Sequence, residues 1–308
     1  RRLEASDFDS LLTDDPVRDI LRWLNDPKAA KDKWSEQVWG AFRSVCKSDF
    51  GFDPQAEGEL VGAEKLGKGE NGWAAVWSRF AESPRLYPNL PALLRKAEGS
   101  FNPGLFTEKS SWPGANEKEE STLRAALQKL DGVASHEAAK SIRTLEQQHG
   151  QRRNWVWATL GMSPLANALG HLAVLADVAS QALGGQTAVE MSAVYLQGAC
   201  RADASVWRAL AGVEQKEDVA AVTAAARSIY LPWVEAAAER LQEIVVKSGF
   251  PVKGEAARKS VKPAKAECIL FADGLRFDVG QALREELEDS GLAVDTSFKW
   301  QGLPSVTG

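Results

Sequence analysis

The apolar positions of this chain follow two regimes, with a change near residue 250. In the first regime they recur at intervals of three and four, the period of an amphipathic helix. From Ser163 the run "SPLANALGHLAVLADVASQALGG" opens with a serine suited to an N-cap and a proline at the first helical position, and it stops at Gly184. Its seam of Leu165, Leu169, Leu172, Ala176, Ala179 and Leu183 lies on one side, which predicts packing against another helix. A second long helix is predicted over 216–249, with Val222, Ala226, Ile229, Trp233, Leu241 and Ile244 turned inward. Pro232 should kink it, because proline has no amide to offer the carbonyl of Ser228. Shorter helices are predicted at 16–24, 28–47, 72–82, 116–130 and 135–149. Residues 84–103 carry Pro84, Pro88, Pro91 and Pro103, so this stretch reads as irregular with one short helix.

Past residue 266 the period changes. "CILFA" at 268–272 is a short continuous apolar run, as in a strand covered on both faces. "RFDVGQALREELEDSG" then reads as a helix, with Val279, Leu283 and Leu287 four apart and Gly291 just past its end. "LAVDTSFKW" at 292–300 alternates polar with apolar residues like a second strand. Strand, helix, strand predicts a right-handed crossover, in which chemistry gathers beyond the carboxyl ends of the strands. Asp273 and the segment "LPSVTG" hold that position. The expected fold class is a mainly α-helical region followed by the first βαβ unit of an α/β domain. Its expected divisions are a helical region over 1–249, itself split near 115, a basic linker over 250–266, and the start of the second domain over 267–308. The linker carries Lys253, Arg258, Lys259, Lys262 and Lys265.

Composition narrows the function classes. A length of 308 residues, with 44% hydrophobic and 26% charged, suits a folded chain of about two domains. The net charge of −5 excludes a chain that binds nucleic acid or membrane through overall charge, so any such contact must be local. Cys46, Cys200 and Cys268 are an odd number without CxxC spacing, which argues against a disulfide framework and a thiolate metal site and favours a reducing cytoplasm. No apolar run reaches the roughly 18 residues of a membrane span. The chain opens on Arg1 and Arg2 rather than methionine, so it is expected to be a piece of a longer protein.

Asp273 is the first candidate for chemistry. A carboxylate where a buried strand ends costs solvation free energy unless a cation, a proton or a donor compensates it. The bland alternative is a turn, since Asp-Gly is a common turn pair. Arg276 can reach a phosphate or pair with a carboxylate, and Asp278 is read as an N-cap or first-turn acid of its helix rather than a ligand. "QRRNWVW" at 151–157 joins Arg152 and Arg153 to two tryptophans, a set that can stack on bases and grip phosphates, or pack with its arginines as surface charge. His136, His149 and His171 have no metal-like spacing.

Two pairs of segments carry a resemblance. "ILFADGLRFDVGQAL" followed by "KWQGLPSVTG" resembles the opening of the PglZ domain, a branch of the alkaline phosphatase superfamily. "QRRNWVWATLGMSPLANALGHLAVLADVA", with "RLYPNLPALLRKA", is similar to the helical region of PglZ proteins in bacteriophage exclusion (BREX) defence systems. The resemblance implies that Asp273 binds one of two divalent metal ions, zinc in the first place with manganese or magnesium as alternatives. It implies that Thr307 contacts the metals and attacks phosphorus, with Ser305 close by as a competing alignment. Two cations about 3.5–4 Å apart stabilise the attacking and leaving oxygens of an in-line displacement. The remaining ligands would lie past residue 308, so the 308-residue piece alone is expected to bind metal weakly and not to turn over substrate.

Two functions follow from this resemblance. In one, the intact protein is a metal-dependent phosphatase or phosphodiesterase, with a nuclease among the candidates, working in a BREX complex. In the other it is an assembly subunit whose helical region docks the methyltransferase and small accessory subunits of the system. DNA is a candidate partner directly or through the complex, and a membrane is not.

Overall fold

The computed structural model describes residues 12–100, 109–249, 265–270, 272 and 274–296. Side-chain caps decide where its first helices begin. Asp15 accepts the amide of Arg18 at 3.0 Å to start α1 (Pro16–Asn25), and Asp26 accepts that of Ala29 at 2.9 Å to start α2 (Pro27–Lys33). Both helices place proline at the first position, where its missing amide costs nothing. The single helix expected over 28–47 is two. Trp34 is extended at φ −96°, ψ 138°, and Ser35 caps a new helix, α3 (Glu36–Phe50), through the amide of Val38. A serine that competes for backbone hydrogen bonds thus interrupts a stretch whose apolar spacing alone reads as continuous.

The chain next forms α4 (Pro54–Lys68), α5 (Trp73–Glu82) and α6 (Leu90–Ser100), followed by α7 (Pro113–Gln128), α8 (Ser135–His149), the one-turn α9 (Val156–Thr159) and α10 (Pro164–Val178). It divides into two compact units. Unit 1 is Arg1–Leu123 with Gln147–Asn167, and unit 2 is Arg124–Glu146 with Ala168–Gly308. The core of unit 1 joins Ile20, Leu24, Phe42, Phe52, Leu66, Trp73, Phe80, Leu94, Trp112 and Trp157, all buried. Each large apolar side chain taken wholly out of water contributes about 1.5–3 kcal/mol before conformational entropy is set against it. The rings meet edge to face, with Phe52 and Trp73 5.5 Å apart at 75°. The indole N–H groups of Trp73 and Trp157 donate to the carbonyls of Phe50 and Ser110.

Unit 2 is built on the long α13 (Lys216–Ser248), which continues through Pro232. Before it come α11 (Ala188–Val194), a π-helical turn at Tyr195–Ala199 and α12 (Arg201–Ala211). Ala188, Met191 and Ile244 form a small cluster that Leu183 flanks, although α10 has already ended at Val178 and not at the expected Gly184. The last described helix is α14 (Phe277–Asp289), which packs on α12.

The βαβ unit expected from residue 267 onward is overturned. Residues 267–270 and 292–296 have no regular secondary structure, and no strand occurs among the described residues. A strand exists only by pairing, and two short runs around one helix bury too little to hold a ladder by themselves. Ile269 and Leu270 are 50% and 88% exposed, so the apolar run has neither a sheet to join nor a layer to cover it. The mainly helical part of the expectation stands. No described helix is long and apolar enough to cross a membrane.

Two measurements test this packing. A Cβ at Gly67 would lie 2.4 Å from the buried ring of Trp112, whereas one at Gly40, inside α3, meets nothing within 4 Å. Gly67→Ala is therefore expected to lower stability by about 1–3 kcal/mol in denaturant unfolding, and Gly40→Ala to raise it by about 0.5–1 kcal/mol. Asp53 caps α4 through the amide of Gln55 and takes Arg43 through two bonds of 3.2 Å and Lys47 at 2.8 Å. The Arg43 hydrogen bonds first, then Lys47, hold its carboxyl well below the usual carboxylate range. A depressed folded pKa stabilises above the unfolded value and is lost as protons bind. Wild type should therefore exceed Asp53→Asn in stability at neutral pH, with the gap closing as pH falls below about 4.

Candidate functional site

The segment that carries the sequence motif enters α14 through a tight turn. Gly274 has φ +67°, the left-handed region that glycine adopts without strain. Arg276 is the N-cap residue of α14 with extended backbone, and an arginine side chain has no acceptor with which to cap. Among the described residues no side chain caps the helix, but Asp278 stands in its first turn, a favourable place for an anion. Its side chain is 1% exposed and accepts three N–H groups: Trp207 Nε1 at 2.7 Å, and Arg276 Nε and Nη2 at 3.0 and 3.4 Å.

A second carboxylate completes the cluster. Asp203 on α12 accepts the hydroxyls of Tyr195, at 2.6 Å, and Tyr230, and it lies 3.7 Å from Arg276 Nη2. Burial, then the hydrogen bond to Asp203, pushes both tyrosine hydroxyls far up, so they stay protonated and serve only as donors to it. Burial opposes the charge on Arg276, but Asp278 and then Asp203 outweigh it and raise its pKa. The ring of Phe277 sits 6.0 Å from that of Tyr195. Arg276 is thus shared by two carboxylates of unit 2, and the helix docks through its polar start. On the same helix Val279 and Leu283 are 37% and 48% exposed.

Sequence reasoning missed Tyr195, Asp203, Trp207 and Tyr230. Asp203 and Trp207 lie four apart on α12 and so share a face, but nothing in that spacing names Arg276 and Asp278 as what the face receives. Asp273 and Thr307, the candidate metal-binding and nucleophilic residues, lie outside the described residues.

Arg152 and Arg153 are engaged within unit 1. Arg152 is 3% exposed, so it is not surface charge, and its Nη2 donates to Asn116 Oδ1 at 2.7 Å and Glu120 Oε1 at 2.6 Å. Glu120 in turn accepts the amides of Leu165 at 2.8 Å and Ala166 at 3.2 Å, at the start of α10. Ser163 gives its hydroxyl to Asn116 rather than to the helix it precedes. Arg153 Nη1 donates to the carbonyl of Ala166 at 3.1 Å. Of the three histidines, whose spacing predicts no metal role, His149 is buried, and burial first, then Arg152, lowers its pKa.

Among the described residues no group of three or more His, Cys, Asp or Glu side chains is placed to hold a metal ion. Both oxygens of Asp278 and both of Asp203 already accept hydrogen bonds from neighbouring side chains. Cys46 and Cys200 are buried free thiols and Cys268 is an exposed one. No protein-family model, no curated protein and no solved structure matches this chain.

The clamp predicts a local response. Asp278→Ala removes the buried carboxylate that receives both Trp207 and Arg276, and so loosens the start of α14. Hydrogen exchange should show residues 277–289 losing protection at least tenfold, with the core of unit 1 unchanged. Glu285→Gln, on the exposed side of the same helix, should leave exchange as in wild type.

Proposed function

We propose that this chain is the helical and motif-bearing part of a PglZ-type phage-exclusion protein of the cytoplasm, one that hydrolyses phosphoesters with divalent metal. The observation that carries the reading is the anchored turn. Within "ADGLRFD" the residue after Asp273 is a glycine at positive φ, and the next polar residues, Arg276 and Asp278, are locked to α12. Asp273 is assigned to hold the cation and Thr307 to attack phosphorus. A divalent cation there supplies Lewis acidity toward a phosphoryl oxygen and favours the alkoxide of a bound hydroxyl.

The chain's own residues have the supporting role. Arg276 is paired with Asp278 and Asp203, which makes it a fixed positive charge two residues past Gly274. Asp273 and Thr307 are both oxygen donors, a pairing as well suited to magnesium or manganese as to zinc.

An assembly role has its own observation. Ile269, Leu270, Leu275, Leu283 and Leu292 are each close to half exposed or more, a concentration of uncovered apolar side chains around α14. On this reading the methyltransferase and small accessory subunits of the defence complex, with DNA held by the complex, are the partners.

One comparison tests both readings. The intact protein and its Asp273→Ala and Thr307→Ala variants are assayed for hydrolysis of bis(p-nitrophenyl) phosphate with manganese, zinc or magnesium, and for phage plating efficiency in cells. The enzymatic reading expects each substitution to lower the rate at least about a hundredfold and to abolish protection. Loss of hydrolysis with protection intact selects the assembly role, and unchanged hydrolysis removes both residues from the chemistry.

A further inference from the structure

Unit 1 carries a groove unrelated to the motif segment. It has a volume of about 810 Å³ and lies between α1 with α2 on one side and the end of α5 with the turn after it on the other. Arg18, Arg22, Lys33 and Arg79 line it, together with Trp34 and Tyr87. Only two carboxylates, Asp26 and Glu82, share the lining, in a chain whose net charge is −5. In the lining itself the cations outnumber the carboxylates, while Asp15 and Asp19, outside it, pair with its arginines.

The carboxylates nearby hold the arginines without covering them. Asp19 is 10% exposed and takes Arg18 Nε at 3.4 Å and Arg22 Nη1 at 3.7 Å, while those two arginines are 39% and 57% exposed. Arg79 is held from Asp15 at 3.4 Å and Glu82 at 3.9 Å. A guanidinium has five N–H donors, so each of these pairings leaves others for a ligand, in a fixed orientation. Asp26 spends its side chain on the cap of α2. Lys33 is exposed and pairs with no carboxylate among the described residues.

We propose that this groove binds a nucleoside polyphosphate. Phosphate oxygens match the forked geometry of arginine, and cations on two facing walls suit a chain of phosphates between them. Half-buried Trp34 supplies flat apolar surface for a base. The volume falls within the roughly 300–1,000 Å³ of small-molecule sites. Nucleic acid is the less favoured occupant, because it asks for a basic stripe along a surface and not for four cations gathered into one recess. The assignment rests on unit 1 alone and uses none of the residues given to phosphoester hydrolysis.

Titration of the full chain with ATP, followed by calorimetry, tests this assignment. Saturable binding is expected, weakened at least tenfold in Arg22→Gln/Lys33→Gln, whose exposed side chains can be changed without touching the core; an unchanged melting curve checks the fold. Adenosine, which lacks phosphate, should fail to compete. The proposal is overturned if ATP does not bind wild type, if the double variant binds equally well, or if adenosine competes as well as ATP. A single-stranded oligonucleotide that binds and that ATP cannot displace would also overturn it, in favour of a nucleic-acid groove.

Discussion

The carboxylate of Glu120 carries the arrangement of unit 1. It is 8% exposed, and an anion taken that far from water is tolerated only when donors replace its hydration. Here the donors are Arg152 and the amides of Leu165 and Ala166, the unpaired groups that begin α10. One side chain thus settles the charge of a buried arginine and the open end of a helix. The same solution recurs at Asp278, which serves Trp207 and Arg276, and at Asp53, which serves Arg43, Lys47 and the start of α4. In a helical protein the backbone satisfies itself along each rod and leaves its debts at the ends, so the ends decide which segments must meet.

That physics explains what the sequence discloses. Helix bodies are legible: α8 spans Ser135–His149 as its spacing predicts, and the buried seam of α10 is Leu165, Leu169, Leu172 and Ala176. Boundaries set by local capping are partly legible, as with Pro16 after Asp15, but Ser35 breaks a helix that apolar period alone extends. Partnerships between distant residues are not legible. Glu120 takes over an end that Ser163 was suited to cap, and Arg152 leaves the surface to meet it, because a carboxylate 32 positions away is within reach only once the chain has folded.

The motif segment shows where pattern reading errs physically. Apolar runs at 268–272 and in α14 predict burial, since the hydrophobic effect rewards it regardless of the form the burial takes. Yet α14 is held by an ion-pair cluster at its first turn, and its apolar positions stay in contact with water. Charged hydrogen bonds outcompete the stripe because each satisfies a group that would otherwise be stranded, whereas an exposed valine or leucine forgoes only the gain of burial. Of the candidate site, the sequence discloses the turn and its arginine, while the tyrosines and Asp203 that hold them emerge only in three dimensions.

The discontinuity of unit 1 has a consequence for biosynthesis. Residues leave the ribosome in order, and domains ordinarily fold as soon as their last residue emerges. Unit 1 requires Gln147–Asn167, which follows Arg124–Glu146 of unit 2 in the chain. Glu120 must therefore wait through the making of a whole helical hairpin before Arg152 and the amide of Leu165 arrive. During that interval the tryptophan-rich early helices are present without the segment that closes them. The nascent chain thus keeps that tryptophan-rich surface uncovered until residues 147–167 have emerged.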